Sequence, residues 1–83
     1  MEALSDTAKL IMDVFRDLKV GKNGSLLAQL LLNKKKGWTK VDQDNFGQAL
    51  KELEGDGYIR EGKNGFILTE RGYSYLYPNY KRF

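Results

Sequence analysis

The chain has 83 residues, 41% hydrophobic and 30% charged, with a formal net charge of +3 and an isoelectric point near 9.2. That suits one modest core and is too little for two, so we expect a single domain over 1–83, with residues 79–83 as a loose tail. The absence of cysteine and histidine removes disulfides, the usual zinc ligand sets and every Cys–His or Ser–His nucleophile pair, so no enzyme activity, metal or cofactor is expected.

No apolar run approaches the roughly 18 residues of a membrane span. The first residues, MEALSD, carry acid where a secretory leader needs positive charge, and a cytoplasmic location is expected.

In chain order, Ser5 or Asp6 can cap a first helix to about Lys19, because either side chain accepts from orphan N–H groups. Leu4, Ala8, Ile11, Met12, Phe15 and Leu18 form its buried stripe, and Leu10 and Val14 widen it. Gly21-Lys22-Asn23-Gly24 ends that helix, and the same four residues recur at Gly62 to Gly65, read as one turn used twice. Ser25 is expected to cap a second helix ending near Gly37. Gln29 is its only polar residue between Leu26 and Leu32. An all-round apolar helix is either central, covered by the other helices and the sheet, or partly a homodimer interface; the first is favoured. Trp38 is read as an anchor beneath the following connection rather than a platform for bases.

Thr39 or Asp42 caps a third helix, 42–54, on which Phe46, Ala49, Leu50 and Leu53 fall at i, i+3, i+4 and i+7. Gly55-Asp56-Gly57 stops it. Tyr58-Ile59-Arg60 and Phe66-Ile67-Leu68 then flank Asn64-Gly65, a hairpin signal because both residues tolerate positive φ. Thr69-Glu70-Arg71-Gly72 opens a short last helix to about Leu76, ended by Pro78. The aromatic end, Tyr73, Tyr75, Tyr77, Tyr80 and Phe83, is expected to pack mostly on the first helix and the back of the sheet.

Charge is segregated. Residues 1–32 balance, 33–41 carry +4 from Lys34, Lys35, Lys36 and Lys40, 42–56 carry −4, and the remainder returns +3. A basic connection precedes an acidic helix, and a basic hairpin follows it.

The stretch Phe46, Ala49-Leu50, Leu53, Asp56-Gly57-Tyr58-Ile59, then Leu68-Thr69-Glu70-Arg71-Gly72 resembles the winged helix-turn-helix superfamily. It is similar to bacterial and archaeal regulators of the multiple-antibiotic-resistance and phenolic-acid-repressor types, over about Ser25 to Leu76. The resemblance implies an α+β fold with a three-helix core, a C-terminal β-hairpin wing and a short final helix. It implies a small DNA-binding transcription regulator with helix 42–54 in the major groove and wing 60–67 on the backbone. The connection from Lys34 to Val41 is longer than the tight turn of those regulators, and the final helix is shorter than their long dimerisation helix.

Opposite the stripe of helix 42–54 lie Gln43, Asp44, Gly47, Gln48 and Lys51, the candidate base-facing set: Gln suits an adenine edge, and Asp accepts from a cytosine amino group. Gly47 costs about 1 kcal/mol against alanine, which asks for close approach of a backbone, either DNA or the second helix. Lys34, Lys35, Lys36, Lys40, Arg60, Lys63 and Asn64 are the candidate backbone contacts.

Double-stranded DNA is the expected partner. A homodimer or protein partner has the leucine-rich helix 26–32, or the first and last helices, to use. The alternative function is a winged-helix protein–protein interaction module. A third reading takes Gly21 to Gly24, which resembles the GXXG loop of KH domains and would clamp single-stranded RNA; the predicted element order lacks the strands a KH fold needs.

Overall fold

Leu4, Ala8, Ile11, Met12 and Phe15 recur at helical spacing, and in the computed structural model, which describes residues 4–78, all five are buried, the last four along α1 (Asp6–Asp17) and Leu4 just before it. Ser5 is the cap, its Oγ accepting from the Ala8 N–H at 3.2 Å. Val14 joins the core, whereas Leu18 remains 40% exposed because the helix has already ended. Lys19 takes φ of +56°, its N–H donates to Arg16 O, and Val20 N–H reaches back to Phe15 O. This is a two-bond helix stop with lysine where glycine usually sits.

The next residues depart from expectation. Ser25 caps no helix: Ser25–Leu27 is a strand, β1, followed at once by α2 (Ala28–Lys35). β1 pairs antiparallel with β3 (Gly65–Leu68), Ser25 opposite Ile67, Leu26 opposite Phe66 and Leu27 opposite Gly65. β2 (Ile59–Glu61) lies on the other side of β3, giving the order β1-β3-β2. The pairing buries Leu26 and supplies its backbone with partners. Gly65 makes it sterically feasible, since a Cβ there would sit 2.8 Å from Ala28 N and closer still to Leu26 O.

That contact, rather than positive φ, explains the glycine of Asn64-Gly65. Among the described residues only Lys19, Asn23 and Gly57 have positive φ. The two Gly-Lys-Asn-Gly segments are also different turns. Gly24 N–H donates to Gly21 O in the first, whereas Gly62 N–H donates to Gly65 O in the second, closing the hairpin loop.

The second helix is not the covered central element expected of it. α2 packs on α1, β1 and β3, which all lie to one side, so Leu31 alone of its residues is buried. Leu27, Leu30 and Leu32 remain 50%, 43% and 39% exposed.

The expected helix 42–54 is two pieces, α3 (Lys40–Asp44) and α4 (Phe46–Gly55), divided at Asn45 with φ −87° and ψ 0°. Thr39 caps α3 through its Oγ1, which accepts from Asp42 N–H at 3.2 Å. Asp44 and Asn45 are weak helix formers, and the break leaves Phe46 free to pack against Trp38, ring centroids 6.1 Å apart. Gly57, at φ +81°, ends the helical segment as expected.

α5 (Glu70–Leu76) starts within the segment expected to open it, with Thr69 as its cap. Thr69 Oγ1 accepts from Gly72 N–H and donates toward Gly57 O at 2.6 Å and Tyr58 O at 2.9 Å, tying the start of α5 to the end of α4. Tyr73 and Tyr77 pack against the core, and Tyr75 lies tilted against Tyr58, ring centroids 5.4 Å apart. Tyr80 and Phe83, with the tail 79–83, lie outside the described residues.

The described chain is thus a small α+β domain of five helices and a three-stranded antiparallel sheet. Its core gathers Ile11, Met12 and Phe15 of α1 with Leu26, Leu31, Leu53, Ile59 and Leu68, each contributing about 1.5–3 kcal/mol by burial. No helix among the described residues is long and apolar enough to cross a membrane.

Candidate nucleic-acid interface

α4 buries Ala49 and Leu53, with Phe46 and Leu50 partly buried beside them, so Gly47, Gln48 and Lys51 are left on its open face. Those three are where the helical spacing places them. Gly47 has no atom within 4 Å of where a Cβ would be. The expectation that the second helix approaches it is therefore corrected, and the space beside it is open.

Gln43 does not belong to that open face. Its Nε2 donates to Trp38 O at 2.9 Å and Lys36 O at 3.4 Å, which spends both amide protons on folding back the connection between α2 and α3. Asp44 sits on α3 and pairs with Lys40 at 3.6 Å. With side chains 87% and 65% exposed, that pair is worth only about 0.3–0.5 kcal/mol. The break at Asn45 separates both residues from the α4 face on which one continuous helix would have put them.

Two acids of the 42–56 segment are occupied internally, whereas Glu54 and Asp56 are exposed. Glu52 accepts from Ser5 N–H at 3.0 Å and Ser5 Oγ–H at 2.8 Å. Asp42 accepts from Thr7 Oγ1 at 2.8 Å and from Thr39 Oγ1 at 3.0 Å. Both carboxylates therefore point toward α1 or its neighbours, which lessens the mismatch between an acidic segment and a polyanion.

One lysine of the run meets α4. Lys35 Nζ lies 4.8 Å over the ring of Phe46, the first residue of that helix, as a cation–π contact, and Lys34 and Lys36 beside it in sequence are exposed. Trp38 is half-buried against Phe46 and the core, as an anchor should be. Arg60, Lys63 and Asn64 are exposed on the hairpin. The Asn64 carbonyl accepts from Ala28 N–H at 3.1 Å, so the loop is fixed to the start of α2.

One residue of this surface escaped the sequence reading. Asn45 is exposed at the head of α4 and makes no side-chain cap bond. Its signal was available: asparagine favours helix starts, and here it stands in the middle of a stretch read as one helix.

The Gly21–Gly24 loop lies between a helix and a strand rather than between two helices. Asn23 N–H donates to Leu68 O and Gly24 N–H to Gly21 O, so these two amides are unavailable to a phosphate. Comparison with family models, curated proteins and solved structures returns no significant match.

Proposed function

We propose that this chain is a winged helix-turn-helix domain that binds double-stranded DNA, as a regulator of transcription, with α4 in the major groove and the 60–67 hairpin against the backbone. The element order supports the fold: helix, strand, three helices with α4 ahead of the hairpin, and a first strand that closes onto the last. The open face of α4 bearing Gly47, Gln48 and Lys51 carries the functional reading, with Lys35 meeting the first residue of that helix. Lysines supply sequence-independent attraction to phosphates, and the side chains on the helix face supply discrimination. Fluorescence anisotropy with a labelled duplex across a salt series tests this. Affinity should fall linearly on a log–log plot, with a slope near −0.9 for each phosphate engaged. Absence of duplex binding at low salt overturns the proposal.

A second reading, a protein-interaction module, is favoured by the exposed Leu27, Leu30 and Leu32. Self-association through that surface would appear as a doubled mass in light scattering, returned to the monomer value by Leu30→Glu. A monomer at all accessible concentrations removes the homodimer form of this reading.

A further inference from the structure

Leu26 of β1 is buried while Ser25 and Leu27 are exposed, so alternation turns those two side chains to the outer face of the sheet, away from the core. Ser25 lies opposite Ile67, and Ile67 opposite Arg60, which puts the three in one row across that face. In the next row Leu27, 50% exposed, faces Gly65, which brings no side chain. A hollow of about 250 Å³ lies beside them, walled by Leu27, Ile67 and the loop that carries Lys63 and Asn64.

β1 is also an outer strand of the sheet. Gly24 O accepts from Leu68 N–H, and Ala28 N–H donates to Asn64 O. The alternation of an antiparallel ladder then turns the N–H groups of Ser25 and Leu27 to the open edge. Charge around this corner has one sign. Residues 25–36 and 62–67 hold Lys34, Lys35, Lys36 and Lys63 and no acid, and Arg60 shares the outer face. Glu61 pairs with Phe66 and so takes the opposite face. Neither Arg60 nor Lys63 is in an ion pair among the described residues.

We propose that this corner binds an extended acidic peptide of a partner protein, which runs along β1 and seats one bulky apolar side chain in the hollow, its carboxylates toward Lys63 and Arg60. The open strand edge selects an extended chain, the recess between Leu27 and Ile67 selects an apolar side chain, and the cations select its acidic flanks. A lipid surface fits less well, since bilayer binding buries a projecting apolar face rather than filling a recess. This does not rest on DNA binding; it gives the protein-interaction reading above a partner of stated chemistry.

The test is selection from a displayed library of random heptapeptides on the immobilised full chain. The winning peptide is then titrated into wild type, Leu27→Ser, Lys63→Glu and Lys51→Glu, with a melting curve for each protein. Winners should carry an apolar residue flanked by Asp or Glu. Leu27→Ser should weaken the winner roughly tenfold, the loss of one hot-spot contact. Lys63→Glu, put through selection afresh, should lose the preference for acids, and Lys51→Glu on α4 should bind the winner as wild type does. Should Leu27→Ser melt far below wild type, Lys63→Glu in its exposed loop carries the test. No winner above the bare support, or a winner bound equally by Leu27→Ser and Lys63→Glu, overturns the proposal. Winners without acids overturn it and leave the protein-interaction reading standing. Sedimentation with phosphatidylserine vesicles that depends on Leu27, without any winning peptide, would assign the corner to a lipid surface instead. Duplex titration decides the DNA-binding reading independently.

Discussion

Glu52 of α4 closes the first turn of α1 from outside, receiving the Ser5 N–H at 3.0 Å and the Ser5 hydroxyl at 2.8 Å. A carboxylate supplied to the N-cap by a distant residue is both a helix start and a tertiary tie between α4 and α1. Removing the carboxylate should therefore cost more than a single exposed hydrogen bond. We expect Glu52→Ala to destabilise by about 1–2 kcal/mol, within the range for capping and charged hydrogen bonds. For a domain of this size that is a fall of roughly 4–15 °C in Tm. An unchanged melting curve would show that the tie contributes nothing.

Lys19 holds φ of +56° in a helix stop that favours glycine. Its exposed side chain makes no ion pair among the described residues. Lys19→Gly should relieve the left-handed strain and stabilise by about 0.5–1 kcal/mol after the greater freedom of glycine in the unfolded chain is subtracted. Urea denaturation with an unchanged m-value checks the sign.

Gly47→Ala separates stability from binding. Open space around the Cβ position means that the substitution should stabilise α4 by up to about 1 kcal/mol. If DNA approaches there, the same variant should bind duplex more weakly than wild type. Equal or tighter binding by a more stable Gly47→Ala protein would show that the space is unused.

Gly65 and Gly72 behave in the opposite way. A Cβ at 65 would strike Leu26 O, and one at 72 would strike Tyr58 O and come within 2.7 Å of Leu68 Cδ1. Backbone cannot yield as a side-chain tip can, so each alanine variant should lose stability at or above the upper end of the about 1–3 kcal/mol range for overpacking. Circular dichroism melts with the wild-type transition retained would contradict these contacts.

The lysines can be distinguished by salt dependence. Lys34→Ala should reduce the slope of log affinity against log salt by about one and weaken all duplexes alike. Lys35→Ala should also lower Tm, because it removes the cation over Phe46, a contact worth about 0.5–1 kcal/mol at exposed sites.

Local signals in the sequence located much of this structure. The α1 stripe, the start of the last helix at Thr69 to Gly72, the hairpin and the open face of α4 all follow from spacing or from local residue preferences. What escaped reading depended on distant partners. Ser25-Leu26-Leu27 becomes a strand because Gly65 accepts it, forty residues away in sequence, and three residues are too few for an alternating pattern to show. The exposure of Leu27, Leu30 and Leu32 follows from that strand, since pairing places the sheet on one side of α2. Gln43 looked free because its acceptors are carbonyls of the preceding connection, which no wheel diagram displays. Asn45 marked the break between α3 and α4 by its residue type alone.

The bond from Ala28 N–H to Asn64 O gives the hairpin loop an unusual status. Exposed loop tips are ordinarily where a chain accepts insertions and nicks, but this tip is an anchored corner that helps to start α2. Lengthening it at Lys63 or Asn64 should loosen a helix elsewhere in the domain. The exposed turn around Gly37 is a second such corner, because Gln43 Nε2 donates to Lys36 O and Trp38 O on either side of it. A label or affinity sequence inserted at either corner should lower the melting temperature.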